Sequence, residues 1–337
     1  MYSLVRPLLF RLDAEWAHHL TLHLLRWAGN LTLARVVLRR MFAVEGAELA
    51  VEAFGLRFKN RVGLAAGYDK NGMAVRGLAC LGFGHIEVGT ITRQAQAGNP
   101  RPRVYRVADA EAVINSMGFP NDGVAALCLP SLAIPVGVNI GKSKTTPLAE
   151  AAEEYCVLYR QVYGQADYIT VNISSPNTLN LRQLQARTAI EELLTAITAT
   201  RNAHQPRRPL LVKIAPDLST GEIDDLLGAA LATGIDGVIA TNTTTSRAGI
   251  PAALHDLPGG VSGAPLRERS TAVVRHIAQQ TGGRLPIIGV GGIHSAAHAL
   301  EKLAAGATLV QLYTGLVYTG PGLVRQILVA MKEGKER

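Results

Sequence analysis

The chain has 337 residues, of which 48% are hydrophobic and 18% charged, with aromatics at only 5%. Such a composition excludes a disordered or low-complexity protein and predicts an aliphatic, well-buried core. The formal net charge of +8 suits anionic ligands or surfaces, but no Lys/Arg cluster is interleaved with aromatics, which argues against nucleic acid as a partner.

Residues 1 to about 44 differ from the rest. Leu4, Val5, Leu8, Leu9 and Phe10, then Trp16, Leu20, Leu22, Leu24, Leu25 and Trp27, recur at helical spacing among Arg and His. Asn30-Leu31-Thr32 marks a break, so two short helices are expected. The longest stretch here without Lys, Arg, Asp or Glu is the ten residues Trp16 to Leu25, whereas a spanning helix needs roughly 20. The pair therefore does not cross a bilayer. It either lies on one, with Arg26, Arg35, Arg39 and Arg40 near lipid phosphates, or packs on its own domain. Arg6 and Arg11 break the first apolar stretch, so no cleavable signal peptide is expected.

From Arg61 onward apolar strand candidates recur: 63–66, 85–88, 136–140, 168–171, 210–214, 237–240, 286–290 and 309–312. Most lead through a polar or Gly-rich loop into a helical stretch. Eight such units predict an α/β fold, a TIM (β/α)8 barrel spanning 45–337. A doubly wound sheet would need fewer strands and a Gly-x-Gly-x-x-Gly after the first, which is absent. Residues 101–121 insert between the second and third strands and read as a hairpin over the barrel mouth. Cys80, Cys128 and Cys156 are isolated and odd in number, so neither a disulfide framework nor a metal site is expected, and the compartment is a reducing one.

Barrel chemistry collects at the C-terminal ends of strands. Those ends carry Ala66-Gly67-Tyr68-Asp69-Lys70, Thr90, Asn139, Asn172, Lys213, Thr241-Asn242-Thr243, Gly291-Gly292 and Tyr313-Thr314. A lone strand-end Lys is usually a solvated rim residue. Lys213, however, sits inside Leu-Leu-Val-Lys-Ile-Ala, and a buried ammonium needs an anionic partner. The segment Val171-Asn172-Ile173-Ser174-Ser175-Pro176-Asn177-Thr178 sets two carboxamides and two hydroxyls around a proline-stiffened turn. Asn donates and accepts, so it can match a cyclic imide edge. Ser175 is placed to act on a C–H or carbonyl above it. The glycine loops after the last two strands match the barrel's usual phosphate site. With Lys213 and the amides, they suggest a flavin mononucleotide lying across the mouth.

The motifs Ala-Ala-Gly-Tyr-Asp-Lys, Asn-Ser-Met-Gly-Phe, Gly-Val-Asn-Ile-Gly-Lys, Val-Asn-Ile-Ser-Ser-Pro-Asn-Thr, Ala-Thr-Asn-Thr-Thr and Gly-Val-Gly-Gly-Ile resemble those of dihydroorotate dehydrogenases of the membrane-associated, quinone-using class. The resemblance spans essentially the whole chain. It implies oxidation of dihydroorotate to orotate in pyrimidine biosynthesis, with FMN accepting hydride and a membrane quinone taking the electrons. Ser175 would be the catalytic base, where soluble members carry Cys. Lys70, Asn115, Ser116, Met117, Gly118, Phe119, Asn172, Asn177, Asn242 and Thr243 would hold the substrate. Ala66, Gly67, Lys70, Thr90, Asn139, Asn172, Lys213, Thr241, Gly263, Gly292, Tyr313 and Thr314 would hold FMN. His18, Arg106 and Tyr313 would line a quinone tunnel under the N-terminal helices, with His19 and His23 close rivals for His18.

Ser116 and Pro120 depart from the usual Asn-Arg-Met-Gly-Phe-Asn motif, and Tyr68 stands where Leu or Phe is usual. A peripheral monomer on the cytoplasmic face of the inner membrane is the implied state. The competing readings are another flavin-dependent barrel reductase, which the Ser175 loop and N-terminal helices argue against, and a non-catalytic phosphate-binding barrel, which Lys70, Ser175 and the four Asn argue against.

Overall fold

A computed structural model describes residues 2–334. Residue 1 and residues 335–337, the outer ends of the two predicted segments, lie outside the described residues. The N-terminal segment forms three helices, not two: α1 (Tyr2–Arg11), α2 (Ala14–Asn30) and α3 (Thr32–Phe42). The extra break comes from Asp13, whose carboxylate accepts from the backbone N–H groups of Glu15 (3.0 Å) and Trp16 (2.9 Å) and so starts α2 afresh. The expected break at Leu31 is present as one extended residue between α2 and α3.

A hairpin that the sequence did not announce, β1 (Val51–Ala53) and β2 (Leu56–Phe58), follows. Then come β3 (Val62–Leu64), α4 (Val75–Ala79) and β4 (His85–Ile91). The inserted hairpin, β5 (Val104–Val107) and β6 (Ala112–Asn115), pairs antiparallel as expected. The chain continues with β7 (Val136–Ile140), α5 (Ala151–Val162), β8 (Tyr168–Asn172), α6 (Arg187–Asn202), β9 (Leu210–Ile214), α7 (Thr220–Thr233) and β10 (Gly237–Ala240). It ends with β11 (Gly260–Gly263), α8 (Arg267–Thr281), β12 (Ile287–Val290), α9 (Ala296–Ala304), β13 (Leu309–Leu312), α10 (Thr314–Thr319) and α11 (Gly322–Glu333).

Strands β3, β4, β7, β8, β9, β10, β12 and β13 close a parallel barrel in chain order, as the strand count predicted. Strand β11 pairs with β6, making the insertion a three-stranded sheet over the mouth. The barrel bore is filled by pairing glycines with large neighbours. A Cβ on Gly63 would lie 2.1 Å from the His85 ring, and one on Gly137 2.1 Å from the Tyr168 ring. Phe58 closes the bore from below and meets His85 edge-on at 5.3 Å.

Two devices dock the N-terminal helices. Helices α2 and α4 cross at glycines: a Cβ on Gly29 would sit 2.5 Å from Gly77 N, and one on Gly77 2.1 Å from Leu25 O. Nearby, Glu15 of α2 takes a forked hydrogen bond from Arg103, with Nη2 at 2.7 Å and Nε at 3.2 Å, and both side chains are buried. Burial pushes the Glu15 carboxyl up, but hydrogen bonds and charge from Arg103 and Arg101 outweigh it and hold the pKa at about 2. Breaking one partner of such a buried pair costs about 3–5 kcal/mol.

Candidate active site

The barrel floor under the mouth is a hydrogen-bonded layer centred on Glu87 of β4. Its Oε1 accepts from Asn139 (2.8 Å), and its Oε2 from Gln311 (2.9 Å) and the Tyr168 hydroxyl (3.2 Å). Lys213 sits above this layer. Burial lowers its pKa, and the charge of Glu87 draws it back up. The anion that a buried Lys213 requires is therefore Glu87.

A second layer of amides rests on the first. Thr90 donates to Asn139 Oδ1 (2.6 Å), and Asn172 donates to Thr90 Oγ1 (3.0 Å) and Asn139 Oδ1 (3.1 Å). Asn172 Oδ1 accepts from the Ser174 hydroxyl (2.9 Å), whose oxygen accepts from Asn242 (2.9 Å). The loop carrying Ser175 is pinned at both ends. Asn177 donates to the carbonyl and side-chain oxygens of Asn115, both at 3.1 Å. Arg182 donates to Ser174 O, Thr243 O and the Asp217 carboxylate. Ser175 is buried, and its oxygen accepts from the Asn177 backbone N–H at 3.2 Å. Among the described residues no histidine or carboxylate bonds to it.

Over these layers opens a cavity of about 960 Å³. Its far wall includes Gly263, Gly291, Gly292 and Gly315; the first three have positive φ, and the backbone is packed so closely from behind that a Cβ on Gly292 would lie 2.4 Å from Arg267 Cα and one on Gly315 2.0 Å from Ile293 O. Lys70 lines the near wall and donates to Gly67 O at 2.9 Å, and burial lowers its pKa to about 8.

A larger, mostly apolar cavity of about 1640 Å³ lies between α1, α2, α3 and the barrel. Asn115, Met117 and Tyr313 line both cavities, so the two meet at a shared wall. Its few polar groups are spoken for. His18 Nε2 lies 2.7 Å from Tyr68 O, and burial holds its pKa down to about 3, which keeps the ring neutral. Arg106 donates to the Leu9 carbonyl at 2.9 Å and to the Leu12 carbonyl, and its guanidinium lies 4.7 Å over Phe10. The Tyr68 ring packs edge-on between His18 (4.9 Å) and Tyr313 (5.5 Å).

A family model described as dihydroorotate dehydrogenase matches residues 48–334. The chain belongs to the dihydroorotate dehydrogenase family. It is 49% identical to the dihydroorotate dehydrogenase (quinone) of Azotobacter vinelandii, over 98% of this chain and 96% of that one. It is 51% identical to the one of Chromobacterium violaceum, over 96% and 95%. The crystal structure of a dihydroorotate dehydrogenase of Eimeria tenella in complex with ferulenol superposes with a TM-score of 0.86 at 34% identity, covering 97% of this chain and 95% of that one. Within the family the chain falls in the quinone-using class, class 2.

Most of the dihydroorotate dehydrogenase residues that the sequence pointed to converge. Ala66, Gly67, Lys70, Thr90, Asn172, Lys213, Thr241, Gly263, Gly292, Tyr313 and Thr314 line the mouth cavity, as do Asn115, Met117, Gly118, Phe119, Ser175, Asn177, Asn242 and Thr243. Two do not. Asn139 is wholly buried in the layer beneath and reaches the cavity only through Thr90 and Asn172. Ser116 is turned into the structure, its backbone tied to Arg103 O (2.9 Å) and to Asn99 (2.9 Å).

His18, Arg106 and Tyr313 line the apolar cavity, whereas His19 faces Glu15 at 3.8 Å and His23 is exposed. Glu87, Arg182 and the Glu15–Arg103 pair were not anticipated. Glu87 carried the same signal as Lys213, a lone charge inside an apolar strand. Among the described residues no cluster of His, Cys, Asp and Glu could hold a metal ion.

Proposed function

We propose that the mouth cavity binds FMN and dihydroorotate, and that the apolar cavity beside it receives a membrane quinone. The protein oxidises dihydroorotate to orotate in pyrimidine biosynthesis and passes the electrons to quinone. The observation that carries the cavity assignments is the shared wall of Asn115, Met117 and Tyr313, which sets a polar site for a planar ring against an apolar site for a lipid-borne acceptor.

The residues fit a flavin with a phosphate tail. The side-chain-free backbone at Gly263, Gly291 and Gly292 suits a phosphate. Lys213 is a buried cation facing the place where negative charge would develop. Thr243 Oγ1 is buried without a hydrogen-bond partner among the described residues, as expected of a group awaiting a ligand. The flavin, when bound, supplies the hydride acceptor and the electron relay.

Asn115, Asn172, Asn177 and Asn242 hold and orient the substrate's imide edges, and Lys70 pairs with its carboxylate. Ser175 removes the proton at C5 as hydride leaves C6. With no acid or base bonded to Ser175, the proton leaves through water. The Thr178 hydroxyl, buried in the same loop without a partner among the described residues, is the group to order that water. On the apolar side, Arg106 and Tyr313 touch the quinone carbonyl, and His18 stays neutral beside them.

Peripheral membrane attachment accounts for the outer surface of α1–α3. Leu4, Leu8, Trp16, Leu24, Trp27 and Leu33 are each more than half exposed. Among the described residues no helix is long and apolar enough to cross a membrane. Leu and Trp dipping below the headgroups, with Arg26, Arg39 and Arg40 among lipid phosphates, fit an interfacial helix set. The cytoplasmic face of an inner membrane and a monomeric state complete the proposal.

The test is an anaerobic absorbance titration in mild detergent. Dihydroorotate should bleach the bound flavin, and a ubiquinone analogue should restore its colour. Bleaching without recovery would remove the quinone from the proposal. A bound flavin that does not bleach would remove the substrate.

A further inference from the structure

Lys302 stands apart from the chemistry above. It is 0% exposed in α9, behind β12, and a Cβ on Gly289 would lie 2.9 Å from its Cδ. Its ammonium donates to Ser270 Oγ at 2.6 Å and Thr271 Oγ1 at 3.0 Å, both on α8. A wholly buried ammonium is costly unless an anion compensates it.

The neighbouring elements do not supply one. On α8, Arg267 opposes the charge, and Glu268 lies 3.9 Å from Arg267. On α9, Glu301 favours the charge but is engaged by Arg267 at 3.7 Å, and His298 is hydrogen-bonded to Arg267 at 2.8 Å. Strands β12 and β13 and residues 305–308 carry no ionisable side chain, and on α11, which packs against α9, Arg325 bonds Ala43 O, Lys332 pairs with Glu48 at 2.8 Å and Glu333 is exposed.

The missing anion has a place. Ser270 Oγ, which receives the Lys302 ammonium, donates in turn to Val290 O at 2.7 Å. Val290 leads directly into Gly291 and Gly292, and a Cβ on Gly291 would sit 2.9 Å from Ser270 Oγ. The ammonium is therefore one hydroxyl removed from the glycine wall of the mouth cavity, on its protein side.

Resting on the flavin assignment above, we propose that Lys302 is the buried counter-charge for a phosphate monoester at Gly291–Gly292, acting through Ser270 as a positioning residue that favours the phosphorylated flavin over its phosphate-free form. Burial lowers the Lys302 pKa to about 7, and a phosphate beside the relay raises it. Phosphate binding near pH 8 then takes up a proton, since FMN is already a dianion there, and affinity falls as pH rises from about 7 to the bound-state value and levels beyond it.

The experiment compares FMN with riboflavin, which has the same ring and no phosphate, by fluorescence quenching on flavin-stripped protein. Lys302→Met should weaken FMN by about tenfold or more and leave riboflavin unchanged, with Ser270→Ala in between. Calorimetry of FMN binding at pH 8 in two buffers of different ionisation heat should show more proton uptake by the unsubstituted protein than by Lys302→Met, a difference that riboflavin binding lacks. Equal weakening of both flavins would reduce Lys302 to a structural role and overturn the proposal. So would unchanged FMN affinity, or no proton uptake in the unsubstituted protein. Failure of the unsubstituted protein to bind either flavin would instead remove the flavin assignment, and this inference with it.

Discussion

The two cavities that meet at Tyr313 are built on opposite plans. The mouth cavity stands on strand ends, and each of its amides is held by another: Glu87 fixes Asn139, which fixes Thr90 and Asn172, and Asn172 accepts from Ser174. The apolar cavity is a gap between helix faces. Its polar groups are held by backbone carbonyls, His18 at Tyr68 O and Arg106 at Leu9 O and Leu12 O. A satisfied polar layer on rigid strands gives a precise pocket for a small ring. A gap between apolar helices gives a tolerant one, suited to a flexible, lipid-soluble acceptor. Each half-reaction can therefore be damaged without the other.

The largest effect is expected at Ser175. Ser175→Ala should slow flavin reduction by dihydroorotate about 10²–10⁴-fold, the usual range for a lost general base. Orotate binding should survive, because Asn115, Asn177 and Asn242 remain. Stopped-flow bleaching, with orotate titrated by the flavin's spectral shift, separates the two. Reduction at the normal rate would mean that the proton leaves by another group.

A smaller and opposite effect is expected at Arg106. Arg106→Met removes a cation that ties the C-terminal end of α1 to the hairpin and faces the apolar cavity. Turnover with a quinone analogue should fall about 10–100-fold in kcat/KM, matching the loss of a charge-assisted hydrogen bond. Flavin reduction should be unchanged. Equal losses in both half-reactions would show that the hairpin supports one undivided site.

The same contrast explains what could be read from the sequence. Strand ends announce themselves, because polar residues that follow an apolar run in a parallel barrel must face one mouth. Ser175, Lys70 and the four Asn were therefore visible as a set. Depth was not visible: Asn139 looks like Asn172 in the sequence yet lies one layer lower, and Ser116 sits in a lining motif but turns inward. The N-terminal helices were harder. A side-chain cap on a backbone N–H leaves no periodic signal, so Asp13 split a helix unseen. The close crossing of Gly29 on Gly77, and the Glu15–Arg103 pair 88 residues apart, depend on the fold and not on local pattern. Strand β11 is too short and glycine-bounded to register, yet it completes the sheet above the mouth.

The smallest expected effect sharpens the substrate side of the wall. Lys70 is held down to about pKa 8 mainly by burial, with Glu15 drawing it up, Arg103 pushing it down and Asp69 drawing it up. Its ammonium is the form that pairs with a carboxylate. Below pH 8 it is charged and orotate affinity should be flat. As pH rises through 8 the charge is lost, and affinity should fall by at most about tenfold per unit, levelling once the higher bound-state pKa is passed. With flavin saturating, Lys70→Met should bind orotate more weakly and remove the slope between pH 8 and 10. A slope that persists in Lys70→Met would assign the titration to Lys213, the other buried ammonium lining the mouth cavity, whose pKa burial also lowers. An affinity that rises with pH would contradict carboxylate pairing altogether.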